Sequence, residues 1–252
     1  MKILSKVDSN KEWFERWFDS PYYHVLYKER DEQEAQLFLD HLIEFLKPFA
    51  GAQILDVACG KGRHAVYLHR KGFAVTGFDL SPENIEYTLP FENDRLTFFN
   101  HDMRKLFRTD YFDYVLNLFS SFGYFENDSD HSKTIDAHAA SLKPGGILVV
   151  DYLNSVKLKN NLVTDEKKTI NGINFHISRS IESGNVMKKI NFSDLGQDFE
   201  FYERLCLFER KDFEKYFAEC HLQITNVFGD YDLNDFTEDK SDRLILIAKK
   251  IK

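Results

Sequence analysis

A carboxylate and two glycines lie close together near residue 55 of this chain. Asp56 ends a short apolar run, and Gly60 and Gly62 follow it within six residues. Because glycine lacks a Cβ, the backbone there could approach a ligand closely, and the free N–H groups of a following helix would face that ligand. The spacing Gly60-x-Gly62-x-x-Ala65 also fits the fingerprint for nicotinamide dinucleotides, and a tight turn that binds nothing.

Asp56 helps to choose between these alternatives, because charge limits what can lie beside it. A carboxylate at the end of a buried strand is costly unless it has a partner. It would repel a pyrophosphate and attract a cation. S-adenosylmethionine carries a sulfonium and an ammonium group and no phosphate, so it suits this position better than a dinucleotide does.

Two further acidic residues follow predicted strands. Asp79 ends the second strand, where its carboxylate could accept hydrogen bonds from both hydroxyls of a ribose. The alternative role, a cap for the next helix, is already served by Ser81. Asp102 follows the third strand and could accept a hydrogen bond from an adenine amino group, with Met103 against the ring. The alternative for Asp102 is a carboxylate in a surface loop.

These pieces belong to a regular alternation of strands and helices that begins at residue 52. Strands are predicted at residues 52–57, 73–78, 95–99, 112–117 and 147–153, with helices at 61–71, 82–87 and 129–142 between them. Pro144-Gly145-Gly146 turns the chain into the fifth strand. Such alternation requires crossover connections, so we expect an α/β fold with a mostly parallel sheet and helices on both faces.

The ordered set of motifs resembles the class I S-adenosylmethionine-dependent methyltransferase family over about residues 50–153, together with a terminal strand pair near 221–250. The resemblance implies a Rossmann-like, seven-stranded, mostly parallel sheet. The resemblance also implies a role for each matching residue: Asp56, Gly60 and Gly62 hold the methionine end, Asp79 and Leu80 the ribose, Asp102 and Met103 the adenine, and Asn117 offers its backbone under the cofactor.

Ala58 stands where the family usually has the first of three alternating glycines. Because alanine is nearly as small, we expect this departure to matter little. The N-terminal tyrosine-rich stretch and the C-terminal residues resemble a bacterial subgroup whose substrate is poorly assigned.

Outside this core, the sequence predicts two additions. Residues 1–50 form an N-terminal helical segment. Its helix after Asp31 is predicted to carry one apolar face, formed by Ala35, Phe38, Leu39, Leu42, Ile43 and Leu46. Residues 160–209 form an antiparallel three-stranded insertion with strands at 169–181, 185–192 and 199–208, which leaves 51–159 and 210–252 as the cofactor-binding domain. We expect the insertion to be a flap at the carboxyl edge of the sheet, where an acceptor enters. The alternative is an interface between copies of the chain.

Residues 21–30 contain three tyrosines, a histidine and two basic residues without a clean helical or strand period. A packed core element is therefore not their expected role. We expect them to form a lid over the cofactor, in which Tyr27 or Arg30 meets the methionine carboxylate. The alternative is an ordered surface connector. Tyr22, His24 and Tyr124 are candidates for the acceptor pocket, and each could equally be a packing or surface residue.

Composition limits the classes of partner. The formal net charge of −8 argues against broad binding to a nucleic acid backbone. Three scattered cysteines indicate neither a disulfide framework nor a zinc site, no metal is expected, and no apolar run is long enough for a membrane span. We therefore expect a cytoplasmic protein with reduced thiols.

The expected function is methyl transfer from S-adenosylmethionine to a small molecule. The Asn/Asp-Pro-Pro-Tyr/Phe tetrapeptide of amino-group methylases that act on adenine and glutamine is absent after the fourth strand, where residues 117–120 read Asn-Leu-Phe-Ser. No cysteine nucleophile stands there either. Methyl transfer needs alignment more than acid–base chemistry, and the sequence identifies no catalytic residue. A protein or RNA acceptor, and a module that binds the cofactor without catalysis, remain as alternatives.

Overall fold

The computed structural model describes residues 12–27 and 32–252. Its helices are α1 (Trp13–Phe18), α2 (Pro21–Leu26), α3 (Glu32–Leu46), α4 (Arg63–Arg70), α5 (Pro82–Thr88), α6 (Asp128–Ser141), α7 (Ser155–Asn160) and α8 (Arg210–Glu219). Its strands are β1 (Gln53–Val57), β2 (Ala74–Asp79), β3 (Leu96–Asn100), β4 (Phe112–Asn117), β5 (Leu142–Leu153), β6 (Asp165–Ile170), β7 (Ile173–Glu182), β8 (Asn185–Asp194), β9 (Gln197–Cys206), β10 (Leu222–Phe228) and β11 (Arg243–Lys250).

The larger sheet has seven strands in the order β10-β11-β5-β4-β1-β2-β3. Strands β1 to β5 are all parallel to one another, whereas β11 is antiparallel to both β5 and β10. The predicted Rossmann-like, mostly parallel sheet is therefore confirmed. The strand–helix alternation fixes this result, because a parallel pair needs a crossover, and the crossover is usually a helix.

The strand order contains a switch point at β1. From β1 the chain proceeds to β2 and β3 on one side, and then returns to β4 and β5 on the other side. Open α/β sheets bind ligands outside the carboxyl ends of the strands at such a point. The crevice beyond Val57 of β1 and Asn117 of β4 is therefore where this fold would hold a ligand.

Helix α3 packs on this sheet through one face. Its buried residues are Ala35, Phe38, Leu39 and Leu42, at helical spacings of three and four. Phe38, Leu39 and Leu42 share a hydrophobic core with Ile54 of β1 and with residues of α4, β2 and β3. The predicted apolar face of this helix is confirmed.

The second sheet has four antiparallel strands, in the order β6-β7-β8-β9, rather than the three that the sequence predicted. The predicted single strand over residues 169–181 is divided by a turn at Asn171 and Gly172. Both residues have positive φ angles, 51° and 79°, as a two-residue type I′ hairpin requires. The Asn-Gly pair is a strong hairpin signal that the sequence reading missed.

The chain divides into two compact units. The smaller unit contains the described residues before residue 31 together with residues 161–207, and the larger unit contains the rest. The predicted segment 1–50 is thus divided: α1 and α2 belong with the second sheet, whereas α3 belongs with the first. The reason is packing, because Trp17 and Leu26 share a core with Phe175, Ile177 and Ile190.

Helix α2 corrects part of the prediction for residues 21–30, which were not expected to pack in a core: Leu26 of this helix is buried. Residues 28–30 lie outside the described residues. Ser20 caps the helix by accepting a hydrogen bond from the Tyr22 backbone N–H at 3.3 Å, and Pro21 stands in its first turn. The rings of Tyr22 and Phe192 lie 4.6 Å apart. A helix of six residues is too short to show a clear helical periodicity in the sequence. Its packing is therefore evident only from its contacts with the second sheet. Among the described residues, no helix is long and apolar enough to cross a membrane.

Candidate active site

Asp56, at the carboxyl end of β1, is only 1% exposed. The imidazole Nδ1 of His64 lies 3.9 Å from Oδ1 of Asp56, and no described residue donates a hydrogen bond to Oδ2. Burial raises the pKa of Asp56 to about 7, although the Ala65 backbone N–H and the charge of Arg63 act in the opposite direction. A buried carboxylate with an unpartnered oxygen is suited to receive a cation.

The two glycines of the following loop serve different purposes. A Cβ built on Gly60 would meet no atom within 4 Å, whereas one on Gly62 would lie 2.8 Å from Cε1 of Phe98. Both residues have positive φ angles, 55° and 78°. Gly60 therefore leaves open space above the loop, where a ligand can approach. Gly62 is required by the packing of the loop against β3.

Ala58 also has a positive φ angle, 54°. This left-handed conformation costs a residue with a Cβ roughly 1–2 kcal/mol. Alanine in place of the family's glycine at position 58 is therefore expected to lower stability. The reason is the backbone conformation and not the size of the side chain. The neighbouring Cys59 backbone N–H donates to the carbonyl of Phe78 at 2.9 Å, which ties the loop to β2.

Asp79 joins this loop to the end of β2. Its Oδ2 accepts a hydrogen bond from the Gly60 backbone N–H at 2.8 Å, and its Oδ1 accepts one from the Ser81 N–H at 2.9 Å. Ser81 caps α5 as predicted, through a 3.1 Å bond from the Asn84 N–H. Asp79 is half-buried, like its neighbour Leu80. Its carboxylate thus shapes the loop, and it lies where the ribose hydroxyls are predicted to bind.

Asp102 is bound by a neighbour that the sequence reading did not consider. Arg104 donates from Nε at 3.0 Å and from Nη2 at 2.8 Å to this carboxylate. Burial opposes ionisation, but the bonds from Arg104 hold the pKa of Asp102 below its ordinary value. An adenine amino group would share the carboxylate with this guanidinium, which also lies 4.8 Å from the ring of Phe125. Met103, between the two residues, is half-buried.

Asn117 ends β4 and is fully buried. Its backbone pairs with Val150 of β5, and its Nδ2 lies 3.4 Å from Nε2 of His138. Burial lowers the pKa of His138 to about 3, so the imidazole is neutral near pH 7. The backbone of Asn117 thus lies at the switch point, whereas its side chain is buried in the core.

The two residues that follow Leu118 form a strained turn that the sequence reading missed. Phe119 and Ser120 have φ angles of 55° and 58°. For residues other than glycine, such conformations cost of order 1–3 kcal/mol each and persist only where the surroundings fix them. No glycine or asparagine marks the two positions, so local sequence carries no signal for this turn.

A buried acid and an arginine near this turn were also missed. Asp151 of β5 is completely buried, and Arg243 at the start of β11 donates from Nε to its Oδ1 at 2.8 Å. The hydroxyl of Tyr231 lies 3.4 Å from Oδ2 of Asp151. Burial and the charge of Asp151 raise the pKa of Tyr231 far above its ordinary value. The sequence did contain one indication of this buried acid, because Asp151 lies within the otherwise apolar run Ile-Leu-Val-Val-Asp-Tyr-Leu at residues 147–153.

The predicted acceptor residues fall in different parts of the chain. Tyr124, in the larger unit, donates its hydroxyl to the carbonyl of Ser120 at 2.6 Å, so it supports the strained turn. In the smaller unit, Tyr22 donates to Asp194 at 2.9 Å, and the ring of His24 lies 5.4 Å from that of Tyr23.

Tyr27 donates its hydroxyl to Glu203 at 2.5 Å and accepts a hydrogen bond from Lys188. Arg30 lies outside the described residues. The predicted roles of Tyr22, His24, Tyr27 and Arg30 at the ligands stay predictions.

Open clefts of about 640 and 600 Å³ occur elsewhere in the larger unit. The first lies between α8 and β10, and the second at the amino ends of β1, β2 and β3. Neither is lined by the residues that the sequence singled out, and a parallel sheet binds ligands at its carboxyl edge. Within residues 12–27 and 32–252, no group of three or more metal-ligating side chains is arranged to hold a metal ion. We therefore place the candidate site at the switch point.

Comparison with known proteins relates the chain to methyltransferases. Residues 54–146 match the family described as Methyltransferase domain. The chain is 28% identical over 210 residues to YqeM of Bacillus subtilis (strain 168), which has a provisional methyltransferase name, covering 79% of this chain and 85% of that protein. It is 28% identical over 252 residues to a glycine/sarcosine N-methyltransferase of Aphanothece halophytica, covering 94% of this chain and 87% of that one.

The fold is shared with solved structures. An S-adenosylmethionine-dependent methyltransferase from Clostridium acetobutylicum ATCC 824 has a TM-score of 0.75 and 21% identity, covering 90% of this chain and 95% of that one. The protein is a class I S-adenosylmethionine-dependent methyltransferase. The predicted family, enzyme class and cofactor are thereby confirmed.

Proposed function

We propose that the enzyme methylates a nitrogen atom of a small-molecule amine. One observation carries this proposal: the imidazole of His64 and the phenol of Tyr231, both close to the Phe119–Ser120 turn, are unsuited to act as a general base near pH 7. Burial lowers the pKa of His64 to about 3, and Tyr231 holds its proton because its pKa is raised. Asp151 is paired with Arg243. An uncharged amine attacks the methyl group through its nitrogen lone pair without first losing a proton, and the ammonium product can release a proton to water afterwards. An alcohol, by contrast, must lose its proton to a base as it reacts.

The residues at the switch point fit the cofactor. Asp56 offers an unpartnered carboxylate oxygen for its ammonium group, and Gly60 leaves room above the loop. We propose that Asp79 and Leu80 bind its ribose, and that Asp102 and Met103 border its adenine. When bound, the cofactor supplies a methyl group activated by positively charged sulfur, and the protein aligns the acceptor and excludes water.

Similarity to N-methyltransferases supports an amine acceptor. The relative from Aphanothece halophytica, aligned over most of both chains, is named a glycine/sarcosine N-methyltransferase. The net charge of −8 also disfavours polyanionic acceptors such as RNA, although charged side chains give only a general bias. We propose a small amine rather than a protein or RNA acceptor on these grounds.

Incubation with S-adenosylmethionine and a panel of acceptors tests the proposal. The panel contains glycine, sarcosine, amino sugars and, as controls, matched alcohols, thiols and carboxylic acids. We expect S-adenosylhomocysteine to form only with amines, at a rate that rises with pH as the acceptor loses its proton. Mass spectrometry of the product should place the added methyl on nitrogen.

Turnover with alcohols or thiols but not with amines would contradict the proposal. Turnover with a protein or RNA fraction alone would favour the macromolecular alternative. Binding of the cofactor without turnover on any acceptor would favour a non-catalytic binding module.

A further inference from the structure

The Phe119–Ser120 turn borders the cofactor loop. The ring of Phe119 stacks on the imidazole of His64, with centroids 4.9 Å apart and planes 17° apart. Arg63 lies 5.2 Å from the same ring. Both residues belong to the first turn of α4, directly after Gly62. The backbone after β4 therefore forms one wall of the crevice at the switch point.

Hydrogen bonds from β5 hold the backbone of this turn. The Phe119 N–H donates to Oδ2 of Asp151 at 2.7 Å, and the Ser120 N–H donates to the carbonyl of Asp151 at 3.0 Å. Tyr124 donates to the carbonyl of Ser120 at 2.6 Å. Each of these bonds reaches a backbone group of a left-handed residue, so together they fix a conformation that the two side chains disfavour.

Arg243 links the acid to the side chain of the turn. Its Nε donates to Oδ1 of Asp151 at 2.8 Å, and its Nη2 donates to Oγ of Ser120 at 3.0 Å. The same Oγ accepts a bond from the Leu153 N–H at 3.0 Å. The guanidinium is planar and rigid, so one side chain sets the distance between the carboxylate and the hydroxyl. A lysine has a single nitrogen and cannot span both in this way.

We propose that Arg243 is a positioning residue for methyl transfer. Acting through Asp151 and Ser120, it fixes the strained turn so that Phe119 and the backbone after β4 stand beside the bound cofactor. This inference rests on the assigned cofactor and on the location of its site at the switch point. It does not depend on whether the acceptor is an amine.

An ion pair at the opposite end of the sheet provides a matched control. Lys143 Nζ lies 2.8 Å from Oδ1 of Asp113, and Oδ2 of Asp113 accepts the Gln53 backbone N–H at 2.8 Å. This pair also joins an aspartate on one strand to a cation and to a backbone N–H. It lies at the amino ends of β1, β4 and β5, away from the switch point.

The test compares Arg243→Lys and Ser120→Ala with Lys143→Met. Titration calorimetry gives the affinity for S-adenosylhomocysteine, and thermal unfolding without ligand gives stability. All affinities are measured well below the thermal midpoint of each variant. We expect Arg243→Lys and Ser120→Ala to weaken binding on the order of tenfold, the factor that corresponds to one lost hydrogen bond to a charged group. Lys143→Met should lower the thermal midpoint and leave the affinity unchanged.

A purely structural role for Arg243 gives a different result. The thermal midpoint of Arg243→Lys would then fall, whereas its affinity would equal that of the wild type, and this outcome overturns the inference. Ser120→Ala preserves the Arg243–Asp151 pair, so it keeps the test decisive if Arg243→Lys does not fold. If the wild type methylates alcohols rather than amines, the proposed acceptor is wrong, but the affinities still decide the role of Arg243.

Discussion

Replacement of Asp56 by asparagine should remove a pH dependence from cofactor binding. In the ligand-free protein, burial raises the pKa of this carboxyl to about 7. A bound ammonium group beside it would favour the ionised form, so binding must drive ionisation wherever the free protein is still protonated. The affinity of the wild type for S-adenosylhomocysteine should therefore rise as the pH rises through this region.

The size of the effect follows from the pKa. A carboxyl with a pKa of about 7 is roughly one tenth ionised at pH 6 and roughly nine tenths ionised at pH 8, so the affinity should increase about tenfold between them. Binding at pH 7 should release about half a proton. Stability without ligand should change in the opposite direction. The folded state holds this proton up to about pH 7, while the unfolded carboxyl loses it near 3.8, so stability is lost as the pH rises between these values.

The other groups facing Asp56 do not account for this change. His64 is neutral throughout, because burial lowers its pKa to about 3. Burial also raises the pKa of the Cys59 thiol well above its ordinary value, so the thiol keeps its proton. Arg63 stays charged, and its attraction and the repulsion from Asp79 both act on the Asp56 carboxylate.

The assay is titration calorimetry at several pH values in two buffers of different ionisation enthalpy, which gives both affinity and proton release. Ionisation of the ligand's own ammonium affects wild type and Asp56→Asn equally, so the difference between the two profiles isolates Asp56. Thermal unfolding over the same range checks the stability of each protein. Parallel profiles with equal proton release would refute the placement of Asp56 beside the ammonium group.

Four further predictions concern the same loop and the Asp79 carboxylate that is bound to it. Ala58→Gly should stabilise the protein by roughly 0.5–1 kcal/mol in urea unfolding, because glycine removes the left-handed strain but loses more chain entropy; a less stable variant would contradict the backbone argument. Gly62→Ala should cost roughly 2–4 kcal/mol, since its Cβ would lie 2.8 Å from Phe98. Gly60→Ala should cost only roughly 1–2 kcal/mol and yet weaken S-adenosylhomocysteine binding in calorimetry; equal affinity would show that no ligand lies above the loop. Asp79→Ala should lower that affinity about tenfold to a hundredfold, and unchanged binding by the folded variant would reject the ribose role.

The sequence alone determined the cofactor-binding core of this protein. Strand–helix alternation predicted a parallel sheet, and the acidic residues at the ends of β1 and β2 and after β3 predicted the edge where its ligand would bind. Ser81 was recognised as a helix cap, and the apolar face of α3 was read from its spacing. These features are local, because periodicity, capping and turn chemistry depend on residues only a few positions apart.

Other features exceeded what local patterns can show. The helix at residues 21–26 is too short to reveal its apolar face, and its partners lie on strands more than a hundred residues later.

Asn171 and Gly172 carried a hairpin signal that divides one predicted strand into two. In that case the information was present in the sequence, and the alternating pattern on either side obscured it.

Only the tertiary structure decided how the wall of the active site is held. Arg243 and Asp151 are 92 positions apart in the chain, and the acid stands 32 positions after Phe119. Nothing near Phe119 or Ser120 predicts a left-handed backbone, since neither is glycine or asparagine. Such a turn exists because a buried carboxylate and an arginine from two other strands bind its backbone and hydroxyl. Strain of this kind is set by partners that meet only after the sheet has formed.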